Sequence, residues 1–280
     1  MHDQRQEVRL ASTAEAPTLG LIVTDVIPHV LFGGRTNLIF VEVQTNHGIT
    51  GIGEASLEGK TEAVVGAIND LKEYLIGKDP TRIEHHWQTM YRHSFWRGGV
   101  VIGSAISGIE QALWDILGRA LGVPVYELLG GRVRDRVRLY ANGPRGETPE
   151  EVAESCRRIV DQGWTALKLV PFEAVAGVAS QEDLRAARHQ MTLIRDQVGP
   201  DVDILIDCHG RLSPTSAIQM AQALDEFGIF FFEEPVLPED PASLAMVAES
   251  ISIPVATGER LFTKWGYRDV LALGAASVLQ

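Results

Sequence analysis

Cysteine is scarce: Cys156 and Cys208 are the only thiols in 280 residues, too few for a disulfide framework, so a reduced, cytoplasmic setting is expected. Positive charge is also in deficit. Lys and Arg number 25 against 37 Asp and Glu, a net charge of −12, which disfavours nucleic acid or an anionic membrane surface as a partner. An anionic substrate would need a local cation. No apolar run approaches the ~20 residues of a membrane span, and Met1 to Arg9 is polar, without the apolar core of a secretion signal. Hydrophobic residues nevertheless make up 45% of the chain, enough for a substantial core and too many for disorder.

Three segments follow from the patterning. Residues 1–19 are polar and alanine-rich without periodicity and read as a flexible arm. Residues 20–128 read as an α+β domain: apolar, β-branched runs at Leu21–Val26 and Asn37–Thr45, a turn at Asn46-His47-Gly48 into Ile49–Glu54, then helical periodicity over Thr61–Ile76, Pro80–His93 and Gly103–Leu121. The loop between Leu31 and Asn37 contains the pair Gly33-Gly34, which permits movement. Trp87, Trp96 and Trp114 are expected in the core, and His85 and His86 as exposed or packing residues.

Over residues 129–280 short apolar runs alternate with amphipathic stretches, the pattern of βα repeats on a parallel sheet. The expected strands are Arg136–Ala141, Ala166–Val170, Asp203–Asp207, Ile229–Glu233, Pro254–Thr257 and Ser277–Leu279. Helices include Thr148–Asp161, opened by a capping box with proline at its first position, and Ser213–Phe227. A closed (β/α)8 barrel needs eight strands, and the sixth run reaches the end of the chain. The fold expected is therefore α/β, a (β/α) barrel incomplete at its C-terminal side, with an open doubly wound sheet of six strands as the competing arrangement.

Asp207, Glu233 and Glu259 stand at or just beyond the ends of consecutive strands, one βα repeat apart. In a barrel that spacing sets three carboxylates side by side on the face where catalytic groups gather. Crowded acids must either take up a proton or share a cation, and a hard divalent ion such as Mg2+ suits all-oxygen ligands. Residues two apart on a strand face the same side, so His209 accompanies Asp207 while Cys208 turns to the packing side. His209 is open to three roles: a fourth ligand, a general acid, or a hydrogen-bonded loop histidine. Lys168 lies within Ala166-Leu-Lys-Leu-Val170, where a buried ammonium needs a partner, so it is expected to reach the carboxylates or a bound anion.

At Trp96-Arg-Gly-Gly99, Gly108-Ile-Glu-Gln-Ala-Leu-Trp-Asp115, Glu127-Leu-Leu-Gly-Gly131, Asp207-Cys-His-Gly-Arg211, Glu233-Glu-Pro-Val236 and Thr257-Gly-Glu-Arg260, the chain resembles the enolase superfamily. Within it, the mandelate racemase group and its acid-sugar dehydratases, such as those acting on galactonate, are the nearest likeness. The resemblance implies an enolase-type barrel under an N-terminal capping domain and Mg2+ on Asp207, Glu233 and Glu259. It implies Glu234 orienting Lys168, His209 as general acid, and a sugar-acid substrate losing water to a 2-keto-3-deoxy acid. Asn37 and Arg211 become candidate polyol contacts, and a homo-oligomer is expected.

One departure from the family pattern matters. Racemases of this group carry Lys-x-Lys where this chain has Lys168-Leu169-Val170. Valine cannot abstract a proton, so the base is expected beyond Gln280, and one-sided chemistry with His209 as acid favours dehydration over racemisation, epimerisation or cycloisomerisation. A catalytically inert truncated or scaffold protein is the reading from another class.

Overall fold

The computed structural model describes residues 19–92, 95–172, 175 and 177–280; the expected arm lies outside them but for Leu19. Two compact units result, one up to Val133 and the other Arg134–Gln280.

In the first unit, β1 (Val23–Phe32), β2 (Asn37–Thr45) and β3 (Thr50–Glu54) form an antiparallel sheet in that order. Helices α1 (Thr61–Leu75), α2 (Ile83–Arg92), α3 (Val100–Leu121) and the short α4 (Val125–Leu128) follow. Strand β1 extends six residues beyond the apolar run that foretold it. Pro28 obscured the extension, yet β1 is an edge strand, where a residue without an N–H costs no ladder bond. Leu31 and Phe32 therefore belong to a hairpin arm, whose tip is closed by Gly33 N–H donating to the Thr36 carbonyl at 2.8 Å.

Helix α3 presents Ile106, Ile109, Ala112, Leu113 and Ile116 to the core. Its backbone also meets β3 directly: a Cβ on Gly53 would fall 1.9 Å from the Gly108 carbonyl oxygen, so neither strand glycine nor helix glycine leaves room for a side chain. One turn apart, Gln111 accepts from Glu54 N–H at 3.1 Å and Asp115 from Ile52 N–H at 3.0 Å. The helix thus satisfies the free edge of β3. By length and composition α3 could cross a membrane, and its buried stripe against the sheet accounts for that apolarity as core packing. Trp87 and Trp114 pack partly buried against this core. Trp96 departs from expectation: it is 82% exposed, edge-on to the equally exposed Phe95, because it stands in the irregular segment before α3 and not on the core-facing stripe of a helix.

The second unit is a parallel sheet of β4 (Ala141–Asn142), β5 (Ala166–Leu169), β6 (Asp203–Asp207), β7 (Ile229–Glu233), β8 (Val255–Thr257) and β9 (Val278–Leu279). Neighbours in space are neighbours in sequence throughout. A doubly wound sheet reverses its order at a switch point; this one never does, so it winds in a single direction as a barrel does. Among the described residues β4 and β9 each pair on one side only. Between the strands run α5 (Pro149–Asp161), α6 (Gln181–Val198), α7 (Pro214–Leu224), α8 (Pro241–Ser250) and α9 (Thr263–Ala272).

Alternate strand residues sort by face. Leu167, Leu169, Ile204, Ile206, Phe232 and Val255 pack with Met191, Ile194, Met220 and Leu244 of the helices, whereas Ala166, Leu205, Phe231 and Ala256 form a separate small cluster on the other face. The helices therefore cover one face alone. Strand β4 is much shorter than the run Arg136–Ala141 suggested: only Ala141 and Asn142 find partners, at Leu167 and Lys168. Val137 and Leu139 stand 71% and 64% exposed, since β5 begins too late to pair with them. At α5 Thr148 accepts from Glu151 N–H, but Glu151 reaches back to Glu147 N–H instead of the cap residue. The full reciprocal box occurs at α6, between Ser180 and Asp183.

Candidate metal and catalytic site

The uncovered face of the parallel sheet carries its charges at the C-terminal strand ends. Asp207 closes β6 and Glu233 closes β7, paired in register with each other. Glu259 follows β8 after Gly258, whose φ of 148° only glycine adopts readily. One carboxylate oxygen from each of Asp207, Glu233 and Glu259 lies within 4.8 Å of the others. Asp207 and Glu233 are buried and Glu259 is exposed.

Lys168, 5% exposed on β5, places its Nζ 2.9 Å from Asp207 Oδ2 and 2.9 Å from Glu233 Oε2, with Glu233 Oε1 at 3.1 Å. Burial alone would push this ammonium's pKa down. The hydrogen bonds and charges of Glu233 and Asp207 outweigh that, and it stands above the ordinary lysine value. Glu233 is raised above the usual carboxylate range, chiefly by burial and further by Asp207, against the opposing pull of Lys168.

His209 extends past β6 with φ 52°, a left-handed conformation that histidine tolerates better than most residues and that tends to be kept at functional sites. Its Nε2 lies 3.0 Å from Asp207 Oδ2, while the side chain remains 45% exposed. One face of the ring is thus tethered and the rest is accessible. Cys208 between them is fully buried in the helix-facing core, its thiol pushed well up by burial, as the alternation requires.

Three carboxylates against the single ammonium of Lys168 leave two negative charges in the cluster, the deficit a divalent cation would neutralise. Ions of Mg2+ type bind oxygen at about 2.0–2.1 Å, so opposite ligands on one ion stand roughly 4.2 Å apart. Adjacent ligands stand about 2.9 Å apart, so the three carboxylates, whose oxygens lie within 4.8 Å of one another, would close on one ion by side-chain adjustment. All-oxygen donors also suit a hard cation. The residues present fit such an ion.

The remaining expected residues are placed as follows. Asn37 begins β2 of the first unit and donates to Thr61 Oγ1 at 3.2 Å. Arg211 follows His209 and Gly210, and its N–H donates to the Cys208 carbonyl at 3.1 Å. Glu234 does not orient Lys168. Its carboxylate accepts from Arg260 Nε at 2.6 Å and from Thr257 Oγ1 at 3.5 Å, because a φ of 37° at Glu234 turns its side chain away from that of Glu233. Two contributors escaped sequence reasoning. Arg260 is one. Tyr140 is the other, its ring centroid 5.4 Å from Lys168 Nζ; the parallel register of β4 beside Lys168 was its only sequence signal.

Parallel βα units wound in one direction, with a carboxylate set and a buried lysine at the carboxyl ends of the strands, define a barrel-type fold whose acidic triad could hold a cation. Comparison narrows the class. Residues 28–130 match the mandelate racemase/muconate lactonizing enzyme N-terminal domain, and residues 151–280 the enolase C-terminal domain-like family. A member of the enolase superfamily from Salmonella Typhimurium superposes with a TM-score of 0.88 at 37% identity, over 93% of this chain and 73% of that one. An enolase from Pantoea ananatis, solved with bound D-gluconate and Mg, gives 0.81 at 31% identity over 93% and 71%. The D-galactonate dehydratase of Variovorax paradoxus is 43% identical over 242 residues, 86% of this chain and 63% of the relative. That of Ralstonia pickettii is 41% identical over the same shares. This chain belongs to the enolase superfamily, in its mandelate racemase/muconate lactonizing enzyme group. It spans about 63% of the length of the curated relatives it matches.

Proposed function

We propose that this chain serves the Mg2+-dependent dehydration of an acid sugar, an aldonate such as galactonate, to a 2-keto-3-deoxy acid by removal of the proton beside the carboxylate and loss of the 3-hydroxyl. The observation that carries the reading is the convergence of Asp207, Glu233 and Glu259 around Lys168. Relatives named D-galactonate dehydratase and a neighbour holding D-gluconate and Mg support the substrate class.

Asp207, Glu233 and Glu259 would hold the Mg2+, which when bound supplies Lewis-acid polarisation of the substrate carboxylate. Lys168, fixed between two carboxylates, keeps its positive charge and adds a preorganised cation where negative charge develops. His209 sets its Nε2 3.0 Å from Asp207 Oδ2 and is exposed enough to reach a departing hydroxyl; as imidazolium it would give the proton of its other ring nitrogen, Nδ1, to that hydroxyl and so act as the acid that releases water. Arg211, two residues further on, and Asn37 are the candidate contacts for the sugar acid's hydroxyls. Val170 has no group that accepts a proton, which favours elimination over the two-base chemistry of a racemase.

Incubation of a form extended to the length of its relatives, so that the base expected beyond Gln280 is there to take the proton beside the carboxylate, with D-galactonate and D-gluconate in Mg2+, followed by assay for 2-keto-3-deoxy acid, tests this. Product should form from at least one aldonate, and His209→Asn should lower turnover by at least about a hundredfold, the scale of a lost general acid. No product from any aldonate, or near-native turnover in His209→Asn, would contradict the reading.

A further inference from the structure

Two acids of the cluster are each followed by a residue that faces elsewhere: Glu233 by Glu234, and Glu259 by Arg260. Those two followers meet each other. Glu234, 1% exposed, accepts from Arg260 Nε at 2.6 Å, and Nη2 of the same guanidinium lies 2.5 Å from that oxygen, placed as an ion pair without the angle of a hydrogen bond. Thr257 Oγ1 on β8 reaches the other Glu234 oxygen at 3.5 Å. The backbone joins in: Glu234 N–H donates to the Ala256 carbonyl at 2.9 Å, and its own carbonyl accepts from Gly210 N–H at 2.7 Å. Gly210 also leaves room for the arginine, since a Cβ there would stand 2.8 Å from Nη2.

The ion pair therefore staples the end of β7 to the loop after β8, one residue beyond each acid. Among the described residues nothing hydrogen-bonds the Glu259 carboxylate, and it is exposed, unlike Asp207 and Glu233, which Lys168 holds directly. Resting on the metal-binding reading above, we propose that Arg260 is a positioning residue: its pair with Glu234 sets the separation of Glu233 from Glu259 and thereby the affinity for a divalent cation. A free Glu259 loop would have to be ordered at the moment of binding, a cost the staple removes in advance.

Mn2+ titration of the native chain and of Arg260→Met and Arg260→Lys, with melting measured in excess chelator, tests the proposal. The expected order of affinity is native, then Lys, then Met, with Arg260→Met at least about tenfold weaker than native. A merely structural role would lower the metal-free melting temperature and leave Mn2+ affinity within twofold of native, which would overturn the proposal. If Arg260→Met does not fold, Arg260→Lys decides: more than twofold weaker binding supports the staple, and binding within twofold of native overturns it. A native chain that binds no Mn2+ would instead overturn the metal reading, and the staple with it.

Discussion

The two units bury similar apolar cores but treat polar groups differently. In the first, the buried polar residues are Thr45, His86 and Ser104; in the second they are Lys168, Asp207, Ser216, Glu233, Glu234 and Thr257. The formal charges buried among the described residues thus fall in the second unit alone. His86 illustrates the neutral solution. Its Nε2 donates to the Asp79 carbonyl at 2.6 Å and its Nδ1 is free to accept from Tyr74 Oη at 3.1 Å, so the uncharged ring satisfies both nitrogens, and burial lowers its pKa. The first unit shows that this chain can build a core without burying charge. Four charged groups under the second unit's surface are costly to desolvate, and the placement of three of them, Lys168, Asp207 and Glu233, at one end of one sheet face marks a site instead of a structural need.

That contrast can be broken from either side. Lys168→Met strips the only ammonium from between Asp207 and Glu233 and should cost about 3–5 kcal/mol in the metal-free chain, the penalty of leaving buried charge unpaired. Saturating Mg2+ should recover much of it, as read by chemical denaturation with and without the ion. A cost that Mg2+ does not change would count against the charge argument. Ile109→Ala, at a fully buried position of α3, should cost about 2–5 kcal/mol with or without Mg2+. A smaller effect belongs to His86. Its folded pKa lies below the unfolded value, so stability is full above about 6.5 and is lost as pH falls toward the depressed folded value. Denaturation at pH 8 and pH 5 should show that loss in the native chain and a reduced one in His86→Leu; equal losses would remove His86 from the account.

How much of this was legible depends on backbone regularity. The 26-residue spacing of Asp207, Glu233 and Glu259 survives translation into structure because Asp207 and Glu233 each end a regular strand, where the two-residue alternation holds, and Glu259 follows β8 by only two residues. Lys168 was readable for the same reason: an isolated charge in an apolar strand has few places to go. The Glu234–Arg260 pair was not, since it depends on a left-handed residue at Glu234 that alternation cannot foresee. Trp96 was misjudged because apolar character alone says nothing of whether a loop leaves anything to pack against. Strand β4 was overextended because an apolar run makes a strand only where a neighbour offers partners, and β1 was cut short at a proline that an edge position tolerates.

The central claim is that three acids from adjacent strands close on one divalent cation. Calorimetric titration with Mg2+ of the native chain and of Asp207→Ala, Glu233→Ala and Glu259→Ala addresses it directly. One ion per chain is predicted, with binding lost or weakened at least about a hundredfold in each variant. No binding by the native chain, or affinity unchanged in all three variants, would contradict it.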